Sequence, residues 1–545
     1  MRRNNVGAGI IAVLLLAGAC SSGSSTGPAE AAKNAQVDVN DKLLPVARIH
    51  EGPALLIDRN NPNTVYLGET EMVSGECRFY VSLDGGLTWR PENAPVLEPY
   101  TKNCAMGIAT SQNLRQELVQ GPDGTIYNVF QANAPNRNGT RSVLLGRSED
   151  GGRSWQTVAI DPGTPAPEPG VEMEVNFQGH VAIDPNDPQT VYAMWRRSQN
   201  NKDRTPTKPT RPWMSVSQDG GATWAPPWMM FEKNNGFDGP RPVVVGDTLY
   251  TFYRESAPPL PTGGAAPIPE PPTTKLFVNT SKDGGKTWIK DVEIARAPDA
   301  SEPVPFYDRE RRQFYVVWHD NRQQELDVYF STSKDGATWA APKRLNDDPE
   351  GTRYGQHYPQ ISMSPDGRID VAWYDWRDDP FPASTVGQGS VLDLFANRGK
   401  MASVYMTSSR DGGETWTKNI RLNDTPIDRT IGTWVNNIDV LAPVAIASSN
   451  DGAVVAWSDT RNGNTISQTQ DIYTSRVTFG EESSYKVTGW QAGLAGLLFG
   501  LGVAMCLAVF MVRRQNQAAV APAPGATPSE PVATPSGSGS GSSEP

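Results

Sequence analysis

Basic residues are in deficit in this chain: 49 Lys and Arg face 60 Asp and Glu, for a formal net charge of -11. No basic stripe is available to neutralise phosphates, which excludes general nucleic-acid binding. Histidine is scarcer still. The four, His50, His180, His319 and His357, lie far apart without ligand spacing, so no structural zinc site is expected, and no other metal or cofactor. Only four cysteines occur, and they divide by region: Cys20 near one end, Cys506 near the other, and Cys77 and Cys104 between. The middle two are expected to pair as a disulfide in an oxidising compartment, the alternative being two unpaired buried thiols.

What the chain has in quantity is punctuation: 51 Gly, 46 Pro and 15 Trp with 37% hydrophobic residues, a composition that suits short strands and tight turns better than long helices. Long apolar runs stand only at the ends. Met1-Arg2-Arg3, the run Val6 to Leu16 and Ala17-Gly18-Ala19-Cys20 have the charged, apolar and small-residue zones of an export signal. The last four resemble a bacterial lipobox with Cys20 as the lipidated residue; ordinary cleavage nearby is the alternative. Ala492 to Val512 carries no charge over 21 residues, with Trp490 before it and Arg513-Arg514 after it. That pattern predicts a transmembrane helix over 490–512 with the bulk of the chain outside and the C-terminus inside, hence a cell-membrane location. Residues 21–35 and 479–489 read as linkers, and 513–545 as a disordered Pro/Ser/Gly-rich tail.

Between these ends one phrase recurs. SLDGGLTW (Ser82 to Trp89), SEDGGRSW (Ser148 to Trp155), SQDGGATW (Ser217 to Trp224), SKDGGKTW (Ser281 to Trp288) and SRDGGETW (Ser409 to Trp416) are joined by the shorter SKDGATW at Ser333 to Trp339. Each is preceded by two apolar runs separated by a turn, such as His180 to Ile183 followed by Thr190 to Trp195. A third strand leads into the phrase and a fourth leaves it, and counting second strands gives seven units. Four antiparallel strands repeated in this way describe propeller blades, which cannot bury both faces alone and must stack in a ring. The seventh unit ends after Asp471 to Ser475, and Val37 to Asn40 is expected to supply its fourth strand, leaving no free edge. The predicted fold is all-β: a seven-bladed propeller over 36–478, or six blades plus an irregular unit.

The phrase resembles the Asp-box repeat, S-x-D-x-G-x-T-W, of the sialidase-like β-propeller superfamily, over nearly the whole middle region. Its Asp84, Asp150, Asp219, Asp283, Asp335 and Asp411 read as hairpin scaffold, with Gly supplying positive φ and Trp packing between sheets. Chemistry is expected at the opposite rim, where first strands begin and where the long loops Arg196 to Pro212, Glu255 to Thr274 and Trp376 to Ala402 follow second strands. Trp318-His-Asp320-Asn-Arg322, Trp373-Tyr-Asp375-Trp-Arg377 and Trp457-Ser-Asp459-Thr-Arg461 repeat across blades and read as an ion-pair girdle, since an active site needs different groups from different blades. The unrepeated residues at first-strand starts are Glu51, Glu172, Glu174, His180, Arg241, Glu302, Tyr354, His357, Tyr358 and Asp439. Of these, Glu51, His180, Glu302, His357 and Asp439 are assigned to binding. The resemblance implies three arginines clamping a sugar carboxylate, a tyrosine nucleophile assisted by Glu, and an acid/base Asp. Arg241 and Arg254 are candidate clamp members, Tyr354 or Tyr358 the nucleophile, and Glu174 its partner. The family's R-I-P opening of the first blade is here Glu51-Gly52-Pro53, with Glu in place of Arg. Two readings therefore stand: a membrane-anchored sialidase-type glycosidase or glycan binder, and a non-catalytic module that binds a surface protein or assembles a membrane complex.

Overall fold

The computed structural model describes residues 29–37, 49–71, 74–100, 104, 116–133, 140–164, 173–200, 206–233, 236–256, 273–352, 354–380, 401–432 and 442–479. The export signal with Cys20, the apolar span, the tail, Glu172, Asp439 and the proline-rich stretch 258–272 lie outside the described residues. The chain divides into two units at Gly480, and all described residues belong to the first. Among them there is no α-helix, and no helix long and apolar enough to cross a membrane.

The structure is built of antiparallel sheets. Four sheets consist of four or five strands each, a fifth pairs the chain's two ends, and an eight-stranded sheet holds two four-strand groups joined only where Val175 pairs in parallel with Arg141. Counted by group, first strands run Glu51's strand His50–Ile57, then Glu117–Gln120, Met173–Ile183, Gly236–Val245, Val304–Asp308, Gln356–Met363 and Ala445–Ser449. These are groups one to seven below. Each first strand touches the next in that order, and Ala445–Ser449 returns to touch His50–Ile57. Apolar clusters fill the seams between neighbouring groups, for example Phe252, Leu276 and Val278 against Phe314, Val316 and Trp318.

The last group is completed by the N-terminal segment, with pairing that begins seven residues earlier than expected, at Glu30 rather than Val37. Glu30–Ala31 and Ala35–Gln36 pair with Asp471–Thr478, and the Val37 N–H donates to the Ile472 carbonyl at 3.0 Å. Val37 therefore follows the described closing strands, and Asp38 to Asn40 lie outside the described residues. The register is set by Asn34, whose side-chain amide donates to the Leu422 carbonyl at 2.8 Å, and by Val37 entering the core beside Leu67 and Tyr80. Cys77 and Cys104 form the expected disulfide, with Cα atoms 5.1 Å apart.

The six boxes fold as hairpin scaffold. Asp283 accepts from the Ser281 and Thr287 hydroxyls at 2.8 and 2.6 Å and from the Lys286 and Thr287 N–H groups at 3.0 and 2.9 Å. Both oxygens of that carboxylate are engaged by donors of its own turn. The box tryptophan packs on the preceding group: Trp155 meets Phe79 edge-on at 5.1 Å, and Trp416 meets Phe330 at 5.0 Å. Trp89 does so across the chain ends, donating to Thr474 Oγ1 at 3.0 Å. Boxes and first-to-second-strand turns share one rim, as in the Gly85 N–H bond to the Asn63 carbonyl. The described segment's ends lie there too, because Glu30 pairs with Thr478 and Thr478 with Gly452.

Candidate functional site

At the opposite rim the first strands of four groups carry the same local irregularity. Register shifts fall at Glu51/Ala54, Phe177/His180, Asp238/Arg241 and His357/Gln360. Each contains one residue at positive φ: Gly52, Gln178, Gly239 and Tyr358. Pro or Gly follows it, and the bulge re-aims the flanking side chains. Sequence alternation then supplies the second contribution. In the repeated Trp-x-Asp ends of second strands, Trp and Asp share one face and the middle residue takes the other. That middle residue is His319 in group five, Tyr374 in group six and Ser458 in group seven; Arg196 of Trp195-Arg196-Arg197 and Arg254 of Tyr253-Arg254-Glu255 hold the same place in groups three and four, where the Asp is replaced.

Groups three to five meet at Glu302. Its carboxylate accepts from the Gln178 side-chain amide, and Gln178 Oε1 in turn accepts from the Gly239 N–H at 3.1 Å. Burial raises the Glu302 pKa, but the guanidiniums of Arg254, Arg241 and Arg196 outweigh it and hold the carboxyl below its ordinary value. Asp238 pairs with Arg196 and, at 2.5 Å, with Arg254. Burial lowers the pKa of both Arg196 and Arg241. The Nε–H groups of Arg196, Arg241 and Arg254 are buried without an acceptor among the described residues. Arg241 feels the charges of Glu117 and Glu302, and Glu117 itself binds His180 Nδ1 and the Val181 N–H, both at 3.1 Å. Thus Arg241, Arg254, Glu302 and His180 of the expected residues belong to one network, completed by Glu117, Gln178, Arg196 and Asp238.

A second cluster joins groups five and six. The His319 ring meets His357 at 5.3 Å and Tyr358 at 5.0 Å, both edge-on, and His319 Nδ1 accepts from the Tyr358 N–H at 2.8 Å. His357 also meets Trp376 at 4.5 Å. Tyr354 and Tyr358 both pack against the apolar core of the last two groups. A third cluster joins groups seven and one: Glu51 accepts from Gln470 at 3.3 Å, and His50 binds Glu69 at 2.9 Å. Burial lowers the His50 pKa, but Glu69 more than compensates and raises it to about 9. Tyr374 is fully buried, accepts from the Ser458 N–H at 3.2 Å, and has its pKa raised by burial and by the charge of Glu51.

Glu174 lies apart from these clusters. It pairs with Arg197 at 3.3 Å and accepts from the Thr164 N–H at 2.8 Å, in a set with Asp161 and Asn176 that fixes groups two and three together. The repeated Trp-Asp-Arg residues form within-group ion pairs, for example Trp373 Nε1 to Asp375 at 2.8 Å with Arg377 on the same carboxylate. No His, Cys, Asp and Glu cluster suited to a metal occurs among the described residues.

The residues missed by sequence reasoning are Arg196, Tyr374, Asp238, Gln178 and Glu117. Two signals pointed to them. One is the variation of the middle residue in Trp-x-Asp while its neighbours repeat. The other is the recurrence of Gly-Pro or Tyr-Pro at first-strand starts, at 52–53, 239–240 and 358–359.

No protein family model matches the chain, and no curated protein matches it in sequence. Among solved structures it is similar to the Hadza microbial sialidase Hz136, at 14% identity over 76% of each chain with a TM-score of 0.43. It is also similar to an α-L-arabinanase of Penicillium chrysogenum, at 12% identity over 84% of this chain and 99% of that one, TM-score 0.40. A third likeness is to a PL25 ulvan lyase, at 12% identity over 79% and 94%, TM-score 0.45. At these identities and scores the likenesses decide neither substrate nor mechanism.

Proposed function

We propose that the groups are the blades of one closed seven-bladed propeller and that its loop-side mouth recognises anionic glycans. The cyclic order of first-strand contacts supports the ring. The observation that carries the functional reading is the meeting of Arg196, Arg241 and Arg254 on the single carboxylate of Glu302. Three guanidiniums facing one carboxylate form a receptor for a carboxylate, and their unpartnered Nε–H groups have donors to give. A sugar acid entering the mouth displaces Glu302 and takes its place. Glu117, His180 and Gln178 flank the position with acceptors and donors, while Tyr358 offers a ring face across the mouth.

Binding without sialidase-type turnover is the favoured form. The clamp is filled by the protein's own carboxylate, and Glu51 occupies the place of the family's first arginine. Both expected tyrosines pack on core, and Tyr358 also contacts His319 and His357. One observation favours hydrolysis: Tyr374 and Glu51 are a Tyr–Glu pair coupled electrostatically. The disulfide supports a location outside the cytoplasm, and membrane anchorage through the apolar span, with or without lipid on Cys20, is part of the proposal.

A glycan array probed with the full-length chain tests recognition, with Arg241→Ala as the comparison. Binding concentrated on acidic glycans and lost in the variant supports the reading; no binding, or binding indifferent to Arg241, opposes it. A parallel assay for released sialic acid separates the two forms. Release that disappears in Tyr374→Phe assigns turnover to the Tyr374–Glu51 pair.

A further inference from the structure

A cavity opens at the box rim, and its chemistry differs from that of the loop side. Its volume is about 430 Å³, and it is lined by Arg59 and Arg309, by the rings of Phe306 and Tyr307, and by Pro122 and Pro185. These residues come from the first-to-second-strand turns, or the strand ends feeding them, in groups one, two, three and five, so the cavity lies on the axis rather than in one seam. Gln120 fixes the wall by accepting from the Arg59 backbone N–H at 2.9 Å. Every residue of these turns is among the described ones.

We propose that this cavity is a second ligand site, taking a sugar ring that bears a carboxylate. Neither Arg59 nor Arg309 has an ion pair among the described residues, although the rim is rich in acid. The nearby turn carboxylates are engaged within their own turns: Asp58 accepts from Tyr66 and the Asn60 N–H, Asp123 from Thr125, and Asp308 from Arg311. The two arginines line the same cavity, so their like charges repel. An anion between them relieves that repulsion. The aromatic and proline faces supply the flat apolar wall on which the C–H face of a sugar ring packs, and the volume falls in the range of small-molecule sites. No residue of the loop-side arginine cluster takes part, so the inference does not rest on that reading.

Equilibrium dialysis of the full-length chain with p-nitrophenyl β-D-glucuronide, and with the neutral p-nitrophenyl β-D-glucoside, tests it. Saturable glucuronide binding is expected at millimolar concentration or below. Measured in the Arg241→Ala background, which removes loop-side recognition, it should weaken about tenfold or more when Arg59→Ala/Arg309→Ala is added, and likewise with Tyr307→Ala. Both arginines are exposed, so the double variant should keep the wild-type melting temperature, measured alongside. Equal binding of the glucoside, no saturable glucuronide binding by the folded Arg241→Ala chain, or binding by that chain that the added double substitution leaves unchanged would each overturn the proposal.

Discussion

Glu302 and the six box aspartates show how the same carboxylate does different work according to what surrounds it. In the boxes, hydroxyl and N–H donors from one turn hold Asp150, Asp219, Asp283 and Asp411 at a pKa of about 2, below the unfolded value of 3.8. A depressed carboxylate stabilises the fold fully above its unfolded pKa and loses that contribution as pH falls through the folded one. The urea midpoint should therefore decline between pH 3.8 and 2, and Asp219→Asn, already weaker at neutral pH, should decline less steeply there. Replacing Asp by Asn and finding an unchanged acid limb would detach the boxes from acid stability. His50 acts in the opposite sense. Its pKa is raised from 6.5 to about 9 by Glu69, so its contribution is complete below 6.5 and lost as pH rises through 9. Denaturant midpoints measured from pH 6 to 10 should fall in the wild type and stay flat in His50→Gln.

At the scale of elements, the recurring bulge places the site. Gly239 sits at φ 69° with a position for Cβ only 2.7 Å from Glu302 Cγ, whereas Gly246, at φ 60°, has open space around it. Gly246→Ala should cost about 1 kcal/mol for backbone strain alone, and Gly239→Ala about 2–3 kcal/mol because Glu302 must also move. Urea unfolding of the two variants checks the difference. The strands and boxes were legible in the sequence because each obeys a local rule, alternation for one and turn chemistry for the other. Arg241, Arg254, His180 and Glu302 were legible as odd residues at predictable places. The convergence of Arg196 with them was not, because it depends on a two-residue bulge that turns side chains of three groups toward one point. The closing strand was misplaced for a related reason: VDVN at 37–40 resembles a strand, but pairing to Asp471–Thr478 is decided by partners nearly four hundred residues away or more, such as Leu422 with Asn34.

For the whole molecule, the proposed ring joins through one weak place, where a short N-terminal segment completes the seventh group. Deleting residues 29–37 leaves the strand Asp471–Thr478 with an open edge, which should lower the melting temperature and make association concentration-dependent. Trp89→Ala, which removes a half-buried ring and its bond to Thr474 across the same joint, should cost about 2 kcal/mol. Light scattering and thermal melts read both. The ring matters because it holds arginines of two blades around a carboxylate from a third, and the account centres on that carboxylate standing where a ligand's would. The most direct measurement is the affinity of the full-length chain for sialyllactose and for lactose, in wild type and in Glu302→Gln. Removing the internal charge should tighten sialyllactose binding about tenfold and leave lactose unchanged; sialyllactose binding that is unaffected or weakened by the substitution would contradict the account.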